Sequence, residues 1–269
     1  MEFALDSRVA AACNHGSGIP FESLYLSDAD IMRRTIISLL ATWLSVAAPL
    51  LYASMSLDKM VVYFEPGQPP RQDIMVSNPD PENLYLQTEV YKVINPGGEN
   101  EERIRITDPD KLKLLATPQK AVIPPNGRKT VRLVSLETPG TDEAVYRVTF
   151  RPVVGDVKAT QTAIKLLIAY QALVFIRPAN PKYDIVAKWK DNKIVFTNKG
   201  NMNAVLRNGQ FCTSKKDVSC KPLSESTRLY AGQSWTLELP DTKGYVRYGL
   251  FDGRFEKTRT FSSGKSDRG

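Results

Sequence analysis

Between Leu57 and Phe251 the apolar residues recur at every second position in short runs, and no stretch of useful length repeats at helical spacing. A chain patterned in this way buries one face of each strand and turns polar residues outward on the other, so it folds as packed sheets and not as helices. The runs are rich in Val, Ile, Tyr and Phe. They extend over 57–64, 73–77, 84–93, 103–106, 129–135, 145–153 and 164–176, and again over 183–189, 194–197, 204–211, 235–239 and 245–251. Between them stand turn formers: Glu65-Pro66-Gly67, Asn78-Pro79-Asp80-Pro81, Asn95-Pro96-Gly97-Gly98 and Pro124-Pro125-Asn126-Gly127. Seven strands in about 120 residues fit one immunoglobulin-sized sandwich. The pattern restarts after Arg177-Pro178, which predicts a second, smaller sandwich with almost no linker.

The expected fold class is therefore all-β, with two sandwich domains spanning 54–177 and 178–262 and a disordered tail at 263–269. Ahead of them, Met32-Arg33-Arg34 precedes 19 uncharged residues, Thr35 to Ala53, ending in Leu51-Tyr52-Ala53. This reads as a secretory signal peptide over 32–53, cleaved after Ala53, with 1–31 an upstream extension. A retained membrane anchor is the alternative, since the run is near the lower length limit of a span. Loss of 1–53 removes Arg8, Arg33 and Arg34 together with Glu2, Asp6, Glu22, Asp28 and Asp30, and so raises the net charge from +7 to +9. The basic residues are scattered through strand-like segments without a nucleic-acid motif, so no nucleic-acid partner is expected.

His15 is the single histidine and lies in the segment expected to be removed. Its loss excludes Ser-His-Asp and Cys-His nucleophilic sites and histidine metal sites, and Cys212 and Cys220 have no zinc spacing with any partner cluster. There is no Gly-rich phosphate loop, and Glu101-Glu102 sits in a turn-like polar run. No catalytic residue, cofactor or metal is expected, and the chain is not read as an enzyme. In an oxidising compartment Cys212 and Cys220 are expected to form one disulfide closing a small loop in the second domain, with two free thiols as the alternative.

The longest strand-like run is Ala163 to Ile176, and its positions 164, 166, 168 and 170 are Ile164, Leu166, Ile168 and Tyr170. As the last strand of its domain it is expected at a sheet edge, where an apolar row and unpaired backbone invite a partner. Lent to another protein's open sheet, it would satisfy backbone hydrogen bonds while alternate side chains fill a groove. Four such side chains, at roughly 1.5–3 kcal/mol each, supply on the order of 6–12 kcal/mol before ordering costs. Periodicity alone fits an internal strand covered by its own second sheet equally well.

The segment Leu115 to Leu133, followed by Val145-Tyr146-Arg147-Val148 and Phe175-Ile176-Arg177-Pro178, resembles the periplasmic pilus-assembly chaperones of the chaperone-usher pathway. Val93-Ile94-Asn95-Pro96-Gly97, Lys199-Gly200-Asn201 and the Phe211-Cys212 to Cys220 pair resemble the alternate subclass that serves colonisation-factor (alpha-type) fimbriae. The resemblance implies two immunoglobulin-like domains in a boomerang arrangement, located in the periplasm. It also implies a chaperone that completes incomplete pilin sandwiches with its own strand until an outer-membrane usher exchanges it. On that basis Ile164, Leu166, Ile168 and Tyr170 are the donor residues, fimbrial subunits and the usher are the partners, and self-association of the free protein is a further expectation. Arg177 is expected to pair with Asp252 across the domain junction. Members of the family hold the subunit's terminal carboxylate with an Arg on the first strand and a Lys near the end of the donor strand, but the corresponding places here read about Val61 and Leu173. Lys59 is the candidate substitute. The loop from Arg151 to Thr162 resembles the short-loop type. A minor pilin or adhesin and a periplasmic binding module are the competing readings; Met55, Met60, Met75 and Met202 are too dispersed in sequence to support a metal carrier.

Overall fold

The computed structural model describes residues 55–153, 167–214 and 220–263. The expected extension and signal peptide, the loop after Val153, Ile164, Leu166 and most of the tail lie outside the described residues.

The first sandwich contains β1 (Ser56–Leu57), β2 (Val61–Phe64), β3 (Arg71–Ser77), β4 (Leu84–Ile94), β5 (Glu102–Arg105), β6 (Leu114–Thr117), β7 (Lys120–Ile123), β8 (Arg128–Ser135), β9 (Ala144–Val153) and β10 (Tyr170–Ile176). One sheet has the order β1-β3-β8-β6; the other runs β2-β10-β9-β4-β5, with β7 also paired to β4. Period-two alternation makes one face of each sheet apolar, and the two faces close on Ile74, Val76, Leu86, Val131, Leu133, Val148, Phe150 and Val174. At Asn126, φ 56° together with the bond from Gly127 N–H to the Pro124 carbonyl makes the sharp reversal from β7 into β8.

The second sandwich contains β11 (Ile185–Lys190), β12 (Lys193–Asn198), β13 (Ala204–Cys212), β14 (Lys221–Pro222), β15 (Thr227–Leu229), β16 (Ser234–Glu238), β17 (Tyr245–Phe251) and β18 (Glu256–Ser262). The sheet β11-β12-β16 faces the sheet β14-β13-β17-β18, with β15 paired to β13. Its core is aromatic. Phe196 meets Tyr248 and Phe261 edge-on at 5.6 and 5.1 Å and stacks on Trp235 at 5.5 Å. Cys212 and Cys220 form a disulfide.

Buried asparagines anchor corresponding turns in the two sandwiches. The amide nitrogen of Asn78 donates to the carbonyls of Glu82, Ile123 and Pro124, and that of Asn198 donates to those of Met202 and Leu229. Each supplies donors to backbone carbonyls that would otherwise be stranded where the chain leaves a strand.

Several expectations need revision. The run 57–64 is two strands in different sheets, because β1 pairs with β3 whereas β2 pairs with β10. The first sandwich has ten strands where seven were expected; β6 and β7 flank Pro118, which has no N–H for a continuous ladder. The last strand is not a simple edge strand. Its first three residues have only β9 beside them, but from Leu173 onward β2 covers the other side in parallel, pairing Leu173 with Val61 and Ile176 with Phe64.

Candidate functional site

On β10 the parity of the side chains settles which face is which. Ala172, Val174 and Ile176 are buried in the first core and Tyr170 packs against it, whereas Leu173 and Phe175 point to the opposite face. Ile168 has the parity of the core-facing residues but lies before the strand begins, and it is 44% exposed. Of the proposed donor residues, then, Ile168 and Tyr170 can be located: the first is open to solvent and the second is half-covered by the chain's own core. The strand ladder with β9 starts at the pair Tyr170–Phe150, and β2 enters only at Leu173. The edge of Tyr170, Gln171 and Ala172 opposite β9 therefore has no β2 partner.

The opposite face of β10 runs into the second sandwich. Leu173, Phe175, Val93, Val145 and Tyr63 gather with Tyr230 in a small apolar cluster. Phe175 stacks on Tyr63 at 5.3 Å and tilts against Tyr230 at 6.3 Å. The loop between β4 and β5 closes over this cluster: a Cβ at Gly97 would stand 2.6 Å from the Tyr230 ring, so only glycine fits, and φ 72° suits it.

Arg177, one residue beyond β10, is 1% exposed. Its guanidinium donates to a Glu143 carboxylate oxygen and to the backbone carbonyl of Asp252, lies 3.9 Å from Glu65 Oε1, and sits over the rings of Tyr63 and Phe175 at 4.8 and 5.8 Å. The carboxylate facing Arg177 is thus that of Glu143. Asp252 reaches Arg177 through its backbone, while its side chain accepts the N–H groups of Arg254 and Phe255, each at 2.8 Å. Glu143 also accepts from the backbone N–H and side-chain amide of Asn203 at 3.0 and 2.6 Å, and Asn203 in turn accepts from Arg228. Burial pushes the Glu143 carboxyl above the ordinary glutamate range; Arg177 and Asn203 offset that only in part. None of Glu143, Asn203 or Arg228 was singled out from sequence. Glu143 sits in a polar turn-like run with no pattern to mark it, and Arg228 resembles any other strand arginine.

The two places where the family's carboxylate-holding pair was expected are side by side, because Val61 and Leu173 are register partners, and both are apolar. Lys59 lies two residues before Val61, partly exposed and 3.9 Å from Asp58. A different cation stands directly beside Leu173. Arg147 is its register partner on β9, bonded to Gln171 at 3.3 Å and Glu101 at 3.4 Å, and its buried Nε has no hydrogen-bond partner among the described residues.

Comparison with known proteins gives this geometry a family. The model of the pili and flagellar-assembly chaperone, PapD N-terminal domain, matches residues 54–182. A CFA/I fimbrial protein of Escherichia coli is 30% identical over 194 residues, covering 68% of this chain and 80% of that protein. The chain belongs to the pilus-assembly chaperones. The crystal structure of the class 5 fimbriae chaperone CfaA is 26% identical, with a TM-score of 0.62 over 77% of this chaperone and 98% of that chain. A structure of the Salmonella enterica SafA pilin in complex with the SafB chaperone matches at 18% identity and a TM-score of 0.57, over 80% and 98% of the respective chains, and speaks for the fold alone. Like those relatives, this chaperone is a two-domain β-sandwich protein. Among its described residues no helix is long and apolar enough to cross a membrane, and no group of His, Cys, Asp and Glu is placed to hold a metal ion.

Proposed function

We propose that this chaperone works in the periplasm, where it holds fimbrial subunits by lending them the strand that leads into β10, and passes them to an outer-membrane usher. The observation that carries the reading is the parity of the apolar row. Tyr170, Ala172, Val174 and Ile176 point into the chain's own core, and the same row continues outward through Ile168, which its own sheet leaves exposed. A sheet docked on the unpaired edge of Tyr170–Ala172 would bury the outer part of the row in a core continuous with the chaperone's, and would satisfy the backbone at the same time. Tyr170 is already half-covered, so the new burial comes chiefly from Ile164, Leu166 and Ile168. At roughly 1.5–3 kcal/mol each they supply on the order of 5–9 kcal/mol before ordering costs.

For the subunit's terminal carboxylate, Arg147 is better placed than Lys59. It lies beside Leu173 on the face that opens toward Tyr230, and one N–H of its guanidinium is unused by the protein. Arg177 is read as structural, since its bonds are already filled by Glu143 and Asp252.

The test is recovery of the tagged full-length chain from cells of the source organism that are making fimbriae. A small pilin at about one copy per chaperone, lost on Ile168→Asp while the variant remains folded, is the expected result. Absence of any pilin, or full retention by Ile168→Asp, overturns the reading.

A further inference from the structure

Among the described residues ten large apolar side chains are left exposed, and Phe255 is the one that belongs to the second sandwich. At 63% it is also the most exposed of them. A single apolar residue on a surface is ordinary, but this one is mounted on a turn that is held rigid and fastened to the first sandwich. The Asp252 carboxylate accepts the N–H groups of Arg254 and Phe255, and the N–H of Asp252 donates to the Phe255 carbonyl at 3.1 Å. The carbonyl of Asp252 is held by Arg177. Gly253, at φ 108°, lies so close to Tyr63 that a Cβ there would stand 2.6 Å from the ring.

This turn therefore sits at the junction end of β2, the strand that runs alongside β10. Two residues before Tyr63 the same strand exposes Val61, and Met60 before it is exposed as well; the Met60 carbonyl accepts the N–H of Leu173, where the unpaired edge of β10 ends. The exposed apolar residues of the first sandwich in this region and the aromatic tip of the second thus flank the same edge. Arg254 lies over the Phe255 ring at 5.5 Å, which adds a cation to the tip.

We infer that the Arg254–Phe255 tip is a second contact for the subunit held along β10, with Phe255 taking an apolar side chain beside the subunit's open groove and Arg254 a carbonyl or carboxylate oxygen. The inference rests on the donor-strand reading. A rigid aromatic next to an arginine contributes strongly at an interface because little side-chain freedom is lost on binding.

The experiment uses the pilin recovered with the full-length chaperone as the probe and compares its rate of dissociation from the wild type, Phe255→Ala and Ile168→Asp. Phe255→Ala should leave the melting temperature unchanged and speed dissociation by about five- to tenfold, the range of a moderate hot spot. Phe255→benzoylphenylalanine should cross-link to the pilin on irradiation. Unchanged dissociation with no cross-link, while Ile168→Asp abolishes capture, overturns the tip contact and leaves the donor strand standing. Retention of the pilin by Ile168→Asp overturns the donor strand itself. A cross-link to a second chaperone copy in place of the pilin also overturns the tip assignment.

Discussion

The two sandwiches share an architecture and differ in how completely each is closed. In the second, the core built on Phe196, Tyr248, Leu206 and Phe261 is contained within its own sheets, and a disulfide ties β13 to the start of β14. In the first, the apolar row on β10 runs past the point where its own sheets can cover it, and Ile168 remains exposed. A sandwich that covers all its apolar rows has no need of a partner, whereas one that leaves a row and a backbone edge open is suited to binding by strand addition. The difference lies in one strand end, since both domains otherwise follow the same rules of alternation and turn capping.

The shared junction offers the largest break in this comparison. Arg177→Ala removes the cation facing the buried Glu143 carboxylate and the donor to Asp252, and leaves a buried charge without its partner. Loss of about 3–5 kcal/mol is expected, read by thermal unfolding, with both sandwiches affected because the residue serves both. A loss confined to one domain would mean that the junction does not couple them. Reduction of the Cys212–Cys220 bridge should cost about 2–3 kcal/mol for a loop of this size and act on the second sandwich alone; hydrogen exchange resolved by domain would check it, and equal loss in both would argue against a local staple.

Gly200→Ala should cost about 1–3 kcal/mol. A Cβ at Gly200 would stand 2.2 Å from the Lys182 carbonyl, in the segment that links the sandwiches, and the backbone has no flexible side chain there to move aside. The effect should be largest on chain entry to the second sandwich, at Lys182 and Asn201, whose backbones are bonded to each other at 2.9 Å.

Much of the fold was legible because period-two alternation is a direct record of burial. The run 84–93 became β4, Leu84–Ile94, and 145–153 became β9, Ala144–Val153. Legibility failed where burial and polarity separate. β18 reads Glu-Lys-Thr-Arg-Thr before Phe261, a polar strand whose place is fixed by pairing with β17 and not by its own pattern. The break at Asp58, Lys59 and Met60 was hidden because the residues on both sides alternate suitably, although they belong to opposite sheets. At the site, the apolar row on β10 was visible but its depth was not: where the row passes from the chain's own core to solvent depends on how far β2 and β9 extend beside it, a tertiary fact. Glu143 was invisible for the same reason, since a carboxylate in a polar turn becomes a buried ion-pair partner only when the second sandwich brings Asn203 against it.

The smallest expected effect concerns that carboxylate and separates a coupled junction from a merely packed one. Burial raises the Glu143 carboxyl above the ordinary value of 4.5, more than Arg177 and Asn203 lower it. Between the unfolded value and the raised folded value the native state binds the extra proton, so stability rises as the pH falls through that window and is lost as the pH climbs back through it. The other carboxylates with resolved shifts move the opposite way: Asp73, bonded to Arg132, and Glu101, where burial is outweighed by Gly97, Arg103 and Arg147, both sit below the ordinary range and favour higher pH. The signal is therefore the difference between the wild type and Glu143→Gln. As the pH is lowered from neutral, the melting temperature of the wild type should gain on that of the variant and level off once Glu143 is protonated in both the folded and unfolded states. A constant difference across the range would mean that the Arg177–Glu143 pair holds the carboxyl at its ordinary value, and that the junction is fastened by charge as well as by the ring cluster of Tyr63, Phe175 and Tyr230.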